Sequence, residues 1–151
     1  MKAIIVYASL TGNTEVAANF LANCLRSLEI QVDIYECQQI NPSAFLEADI
    51  CIVASYTYGS AGNLPEEIQG FYDDLKSVNL KGKIYASIGT GEEDYGYFCK
   101  SADDFAQQFD NTGAISGGKI LKIEGEPDIE SKKELAKLAK EIVQSYQLLN
   151  K

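Results

Sequence analysis

The chain contains no histidine, and its formal net charge is −9. Without histidine, the Ser–His and Cys–His pairs that activate a nucleophile cannot form, and histidine-rich metal sites are excluded. The excess of acidic side chains argues against nucleic acid and anionic membranes as partners, because both attract cationic protein surfaces. The composition therefore excludes several common classes of enzyme and of nucleic-acid-binding protein.

The chain also lacks a C-x-x-C pair and any apolar run long enough to cross a membrane. Its cysteines lie in apolar or strand-like segments, which is typical of free thiols in a reducing cytosol. They are Cys24, Cys37, Cys51 and Cys99. Met1 and Lys2 lead directly into a strand pattern, so we expect no signal peptide and a cytoplasmic location. A length of 151 residues with 46% apolar side chains predicts one globular domain, residues 1–151.

Apolar strand-like runs alternate with amphipathic helical patterns along the chain. Three runs are apolar throughout, as expected for strands buried on both faces: 3–7, 50–54 and 84–88. Residues 32–35 resemble an edge strand, and residues 120–123 form a fifth strand pattern. Apolar side chains recur at helical spacing in 16–28, 65–75, 98–109 and 131–146. Pro65 is expected to open its helix, and Ser131 with Glu134 forms a capping-box pattern at the start of the last one.

This alternation predicts an α/β fold in which a parallel sheet carries right-handed helical crossovers. In such folds, ligands bind beyond the carboxyl ends of the strands. Three loops occupy those ends, after the first, third and fourth strands: Ser9–Thr14, Ser55–Leu64 and Gly89–Phe98. We therefore expect a ligand to lie among these three loops.

The first of these loops combines small polar side chains with a glycine and contains no lysine or arginine. It reads Ser9-Leu10-Thr11-Gly12-Asn13-Thr14 and leads into the first helical pattern. Side-chain donors, backbone N–H groups and a helix N-terminus can together hold a terminal phosphate. The G-x-x-x-x-G-K-[ST] pattern of nucleoside triphosphate sites is absent. The loop therefore predicts a phosphate that is held but not hydrolysed.

The other two loops carry tyrosines and glycines close together. The second begins Ser-Tyr-Thr-Tyr-Gly over residues 55–59, and the third reads Gly-Glu-Glu-Asp-Tyr-Gly-Tyr-Phe over residues 91–98. Tyrosine rings offer flat apolar walls, and glycines let the backbone approach a flat ligand closely. A phosphate loop beside two aromatic loops predicts a phosphorylated, planar, aromatic ligand.

In these loops the chain resembles a flavodoxin of the short-chain type, similar to those of Gram-positive bacteria. The resemblance covers the whole chain and is carried by three motifs: the loop 9–14, Thr57-Tyr58-Gly59, and the stretch from Gly91 to Cys99. It implies a flavodoxin-like, doubly wound, five-stranded parallel sheet in the order 2-1-3-4-5, with helices on both faces. It also implies non-covalently bound FMN that carries single low-potential electrons between redox partners. Such a protein is an electron carrier rather than an enzyme.

The resemblance implies a role for each matching position. The FMN phosphate would be held by four polar side chains and two backbone segments: Ser9, Thr11, Asn13 and Thr14, with Leu10 and Gly12. The ribityl side would be covered by Ser55, Tyr56, Thr57 and Tyr58. The two flavin faces would be flanked by the rings of Tyr58 and Tyr95. The flavin edges would be contacted by backbone groups of Glu92 and Cys99 at N1/O2, of Tyr97 at N3, and of Gly59 at N5. The remaining cofactor-binding residues of this set are Thr90, Gly91 and Phe98.

The second loop departs from the family pattern, which usually runs Tyr-Gly-Asp-Gly-x-Leu-Pro. Here residues 58–65 read Tyr-Gly-Ser-Ala-Gly-Asn-Leu-Pro, with one extra residue and Ser60 in place of the acid. We expect the Gly59–Ser60 peptide to flip when flavin N5 gains a proton, because glycine tolerates unusual backbone angles. The acidic side chains Glu92, Glu93 and Asp94 are expected to disfavour the anionic reduced flavin and so lower its potential.

The acidic side chains concentrate near the predicted ligand loops. Residues 1–75 contain ten acidic side chains and two basic ones. We therefore expect a monomer whose flavin edge docks on basic redox proteins, a reductase donor and an acceptor enzyme. The acids on or just after the loops are Glu66, Glu67, Glu92, Glu93, Asp94, Asp103 and Asp104.

Other functions remain as alternatives. A flavodoxin-like activator of ribonucleotide reductase would also hold FMN but would dock on one dedicated partner. A phosphoacceptor signalling domain would need an aspartate at the end of the third strand, where this chain has Ala-Ser-Tyr. A flavin-dependent quinone or azo reductase would need a second substrate pocket, and the polar helices offer no obvious dimer face for one.

Overall fold

The computed structural model describes residues 1–57, 62–92 and 98–150. Its strands are β1 (Lys2–Ala8), β2 (Gln31–Glu36), β3 (Ile50–Tyr56), β4 (Ile84–Gly91), β5 (Ile115–Ser116) and β6 (Leu121–Glu124). Its α-helices are α1 (Asn13–Ser27), α2 (Glu66–Leu75), α3 (Lys100–Asn111) and α4 (Ile129–Leu149). Two short 3₁₀ helices, Cys37–Gln39 and Pro42–Glu47, connect β2 to β3.

The strands form one sheet, and every strand pair within the described residues is parallel. The order is β2-β1-β3-β4-β5, and β6 pairs with β4 further along the same side. The predicted order 2-1-3-4-5 and the edge position of the second strand are confirmed. The fifth strand of that order is divided into β5 and β6.

The division of the fifth strand is explained by two glycines. A Cβ at Gly117 would lie 2.5 Å from Ile84 Cγ2, and a Cβ at Gly118 would lie 2.7 Å from Leu138 Cδ1. The chain therefore passes too close to β4 and α4 for a larger residue to fit. The sequence prediction of one strand at 120–123 missed β5, because two residues beside glycines carry no strand pattern.

The hydrophobic core is split by the sheet into two layers, because alternate strand side chains point to opposite faces. Ile5 faces α1 and α4, whereas Ile4 and Val6 face α2 and α3. In the second layer, Phe45 from the 3₁₀ segment packs with its ring centroid 5.9 Å from Phe71 and 5.7 Å from Phe109. The prediction of helices on both faces is confirmed.

The start of the last helix differs from the capping-box prediction. Asp128 is the N-cap residue of α4, and its carboxylate accepts a hydrogen bond from the N–H of Ser131 at 2.8 Å. Ser131 thus lies inside the first turn rather than before it, because the aspartate three residues earlier is an equally good cap. No helix within the described segments combines the length and apolar character needed to cross a membrane.

Candidate functional site

Three strands end side by side at the carboxyl edge of the sheet. Ala8 of β1 pairs with Ser55 of β3, and Ser55 pairs with Gly89 of β4. Because these residues share one register, the segments that follow β1, β3 and β4 leave the sheet at the same rim. The structure therefore brings together the starts of the three loops that the sequence singled out.

The first loop is shaped by Ser9 and Gly12. Ser9 Oγ accepts hydrogen bonds from the N–H groups of Gly12 at 3.1 Å and Glu15 at 3.3 Å. Gly12 is the N-cap of α1 and has a φ of +97°, which strains residues with a Cβ. The first-turn N–H groups of Asn13 and Thr14 have no intrahelical carbonyl to donate to. A Cβ on Gly12 would meet no atom within 4 Å, so the loop is open on that side.

The side chains of the first loop divide into outward and inward groups. Leu10 is 70% exposed and Thr11 is also exposed, whereas Ser9 and Asn13 are partly buried. Thr14 is only 1% exposed, and its Oγ1 lies 2.7 Å from Thr90 Oγ1 at the end of β4. The hydroxyl of Thr14 thus links the first loop to the third, while the other residues surround the open side of the loop.

At the start of the second loop, the side chains of Ser55, Tyr56 and Thr57 form hydrogen bonds within the protein. The Ser55 hydroxyl donates to the carbonyl of Tyr56 at 2.9 Å, and the Tyr56 hydroxyl donates to Glu67 at 2.7 Å. Thr57 Oγ1 accepts from the N–H of Ser101 at 3.0 Å. Tyr58 and Gly59, with the departure from the family pattern at Ser60, lie outside the described residues.

The third loop leaves β4 at Gly91 and returns at Cys99, with Glu92 exposed and Phe98 partly buried. Cys99 is the N-cap of α3 and has a φ of +52°, an uncommon value for a residue with a Cβ. Burial raises the pKa of its thiol to about 11, so the thiol stays protonated near neutral pH. Residues 93–97 lie outside the described residues. They include Tyr95 and Tyr97, and also Glu93 and Asp94, two of the acids expected to lower the flavin potential.

Sequence reasoning missed Ser101 and two lysines near the rim. Ser101 is fully buried, and its hydroxyl donates to the carbonyl of Tyr56 at 2.7 Å. Lys100 pairs with Asp104 at 3.0 Å, a link that the i,i+4 spacing could have indicated. Lys122 of β6 forms an ion pair with Asp103 of α3 at 2.6 Å, and nothing in the sequence indicated this pair. Two of the acids predicted to face a partner are therefore already in ion pairs.

The first loop also has a cation at its outer side. Lys132 of α4 lies 5.8 Å from the ring centroid of Phe20 on α1 and lines a groove between these helices together with Gly12. Within residues 1–57, 62–92 and 98–150, no group of three or more Cys, Asp or Glu side chains is arranged to hold a metal ion. In the part of the chain that the structure describes, the first loop thus offers hydroxyls and backbone N–H groups, with Lys132 at its outer side.

Comparison with known proteins identifies this arrangement. The family described as Flavodoxin matches residues 5–138. The chain belongs to the flavodoxin family. It is similar to the solved flavodoxin of Streptococcus pneumonia TIGR4, with 46% identity, a TM-score of 0.94, and coverage of 96% of this chain and 99% of that one. It is 34% identical to a flavodoxin of Maridesulfovibrio salexigens over 84% of this chain and 88% of the relative. It is 33% identical to probable flavodoxin 1 of Bacillus subtilis, over 84% and 80% of the two chains.

Membership of the family fixes the general activity. Flavodoxins bind FMN without a covalent link, transfer electrons to redox partner proteins, and are carriers rather than enzymes. The described residues fit this cofactor, because an open loop of hydroxyls and first-turn N–H groups suits a phosphate monoester. The family supports the carrier over the ribonucleotide reductase activator, which was the alternative from the sequence.

Proposed function

We propose that the three loops at the carboxyl edge hold FMN in the orientation predicted from the sequence. The phosphate lies on 9–14, the ribityl chain along 55–58, and the flavin between the rings of Tyr58 and Tyr95. The edges of the flavin ring contact Gly59, residues 90–92 and residues 97–99. The observation that supports this proposal is the common register of β1, β3 and β4, which brings the three loop starts to one rim.

Bound FMN supplies the one-electron chemistry, and the chain supplies binding, orientation and the local field. The exposed hydroxyl of Thr11 and the first-turn N–H groups of α1 suit the phosphate oxygens. Cys99, the N-cap of α3, has a left-handed conformation that turns the backbone at the end of the third loop. The exposed carboxylate of Glu92 disfavours negative charge on the cofactor.

Titration of the apoprotein with FMN and with riboflavin tests the placement of the phosphate. Thr11→Ala should weaken FMN binding about tenfold or more, because a hydrogen bond to a charged group contributes about 1.5–3 kcal/mol. The affinity for riboflavin, which has no phosphate, should not change. Ser43→Ala is the control, because Ser43 is exposed on the 3₁₀ segment before β3, away from the rim. Loss of affinity for both ligands, or for neither, would contradict the placement.

We infer that basic redox proteins dock on the acidic side of this rim. Glu66 begins α2 two residues after the end of the second loop, and Glu92 directly follows β4. Both side chains are exposed. The pairing of Asp103 and Asp104 with lysines reduces the charge around α3, so Glu66 and Glu92 carry more of the expected attraction.

The rate of electron transfer to a basic c-type cytochrome, measured against ionic strength, tests the docking surface. Glu66→Gln and Glu92→Gln should each lower the low-salt rate about twofold, since two charges about 10 Å apart in water interact by about 0.4 kcal/mol. Glu47→Gln is the control, because Glu47 precedes β3 at the opposite edge of the sheet. A rate that is insensitive to salt, or equal effects of all three variants, would exclude this surface.

We also propose that residues 1–151 act as one monomeric FMN-binding domain in a reducing compartment such as the cytoplasm. Two features support this: both core layers pack on a single sheet, and all four cysteines are free thiols. Exposed large apolar side chains are spread over the fold, for example at Leu46 on the 3₁₀ segment, Ile115 on β5, and Ile129 and Leu148 near opposite ends of α4. Sedimentation equilibrium at micromolar concentration should give the mass of one chain, and a dimer mass would refute this part.

A further inference from the structure

The first turn of α3 is capped by a residue from a different loop. Its N-cap residue, Cys99, makes no side-chain hydrogen bond to the helix. The N–H of Ser101, the second helical residue, instead donates to Thr57 Oγ1 at 3.0 Å. The first N–H groups of a helix have no intrahelical partner, and a nearby side-chain oxygen normally satisfies one of them. Thr57, which directly follows β3, therefore replaces the usual cap.

The Ser101 side chain completes a set of three hydrogen bonds. Its Oγ lies 2.7 Å from the carbonyl oxygen of Tyr56 and 2.8 Å from Thr57 Oγ1. A carbonyl can only accept, so the single proton of the Ser101 hydroxyl goes to Tyr56. The proton of the Thr57 hydroxyl must then point to Ser101 Oγ. One arrangement satisfies all three bonds, and Ser101 is fully buried, so bulk water does not compete.

We propose that Thr57 and Ser101 form a clasp that fixes the loop after β3 against the loop after β4 and so sets the width of the flavin slot. The inference rests on the proposed function, in which the flavin lies between these two loops. Ser101 is then a positioning residue that does not touch FMN. The Thr57 hydroxyl is likewise used within the clasp, because it accepts from the N–H of Ser101 and donates to the Ser101 hydroxyl. Thr57 therefore affects FMN binding by holding the loop in position.

The clasp affects cofactor affinity because it joins the start of the loop after β3 to the helix start that follows the loop after β4, before the cofactor binds. Loops that are already held in the bound arrangement lose less conformational entropy when a ligand binds. Removal of the Ser101 hydroxyl should leave the carbonyl of Tyr56 satisfied, since the Ser55 hydroxyl also donates to it at 2.9 Å. Ser101→Ala therefore removes two of the three bonds between the loops without creating an unsatisfied buried carbonyl, and leaves only the bond from the N–H of residue 101 to Thr57 Oγ1.

The test is fluorescence titration of the apoprotein with riboflavin and with FMN. Ser101→Ala should weaken both ligands by a similar factor of about tenfold, equivalent to about 1.4 kcal/mol. The ratio of the two dissociation constants should stay constant, because the phosphate loop is unchanged. Ser145→Ala is the matched control: it also removes a serine hydroxyl bonded to a backbone carbonyl, that of Gly117 at 2.9 Å, and it touches neither loop.

Variants at Thr57 provide a second and independent measurement. Thr57→Val removes both the acceptor and the proton and should weaken both ligands as Ser101→Ala does, whereas Thr57→Ser should lose less. The double variant of Ser101→Ala and Thr57→Val should lose less than the sum of the two single losses, because both single variants remove the same bond between the Thr57 and Ser101 hydroxyls. These variants also give a result if Ser101→Ala does not fold.

Three outcomes would overturn the clasp. If Ser101→Ala lowers the free energy of unfolding but leaves both dissociation constants within twofold of wild type, Ser101 has a structural role only. If Ser101→Ala weakens the binding of FMN but not of riboflavin, the effect of the variant lies at the phosphate. Additive losses in the double variant would show that the two residues act separately. Failure of the wild-type apoprotein to bind FMN would instead overturn the proposed function, so the two failures are distinguishable.

Discussion

A methyl group at Gly89 is expected to force the start of α3 away from the sheet. A Cβ at this position of β4 would lie 2.9 Å from Cys99 Cβ and 3.0 Å from Ala102 Cβ. Carbon atoms pack best at about 3.5–4.0 Å, so both contacts would be too short by about 0.5 Å or more. None of the three Cβ atoms can rotate away, because each is fixed by its own backbone. Either β4 or α3 must therefore move.

The cost follows from how firmly this helix is held. The Ser87 hydroxyl of β4 donates to the carbonyl of Ala102 at 2.7 Å and draws α3 towards the sheet, where the added methyl would push it away. Overpacking of a well-packed core typically costs about 1–3 kcal/mol. We expect Gly89→Ala to lower the free energy of unfolding of the apoprotein by about 2 kcal/mol. It should also weaken FMN binding, because Cys99 moves with the helix.

Urea unfolding of the apoprotein measures this change, and two further variants sharpen it. Gly70 is exposed on α2, and a Cβ there would meet no atom within 4 Å, so Gly70→Ala should stabilise the protein by about 1 kcal/mol. Ala102→Gly removes one of the two short contacts, so it should cost less in the Gly89→Ala background, with a coupling of about 0.5 kcal/mol or more. The steric argument would be refuted if the free energy of unfolding of Gly89→Ala lay within about 0.5 kcal/mol of wild type. It would also be refuted if the double-mutant cycle with Ala102→Gly showed no coupling.

Three further predictions use groups elsewhere in the fold. Gly12→Ala and Gly82→Ala each place a Cβ in open space at a left-handed φ, +97° and +87°, so each should lose about 1–2 kcal/mol of stability. Only Gly12→Ala should also weaken the binding of FMN. Equal FMN affinities of the two variants would contradict the role of the first loop in holding the phosphate. The pKa of Asp128 is lowered because its carboxylate accepts from the N–H of Ser131, so its contribution to stability is present above its ordinary value of 3.8 and is lost as the pH falls through the lower folded value. Asp128→Asn should flatten the acid limb of stability against pH, and an unchanged limb would exclude the cap. An alkylating reagent at pH 7 should label Cys24 before the three buried cysteines, as mass spectrometry can show, and first labelling of a buried thiol would contradict the burial.

The order of strands and helices could be predicted because the strands at the centre of the sheet are apolar on both faces. Ile50–Ala54 is buried throughout, and no amphipathic helix would show such a run. The spatial order of the strands came from the family resemblance, since apolar periodicity does not say which strands are neighbours. The short elements could not be predicted: β5 has two residues, and the 3₁₀ segment with Phe45 has no helical repeat.

The candidate site was predicted at the level of loops but not of contacts. The loop 9–14 and the ends of β3 and β4 could be found from their composition and position. The inward turn of Thr14 and the burial of Ser101 could not, because a serine or threonine fits a surface turn and a buried hydrogen bond equally well. Only the folded chain shows that Thr90 and Thr57 lie opposite these side chains.

The third loop and the start of α3 are joined to the other two loops by hydroxyl groups rather than by charges. Thr90 contacts Thr14 of the first loop at 2.7 Å, and Ser101 contacts Thr57 of the second at 2.8 Å. These links hold the described parts of the rim at a fixed spacing, so binding of FMN need not order them. Ion pairs could provide the same spacing but would place cations at the strand ends. A cation there would stabilise the anionic reduced flavin and raise its potential. The hydroxyl links add no cation, and the two lysines near the rim, Lys100 and Lys122, each pair with an aspartate that offsets their charge.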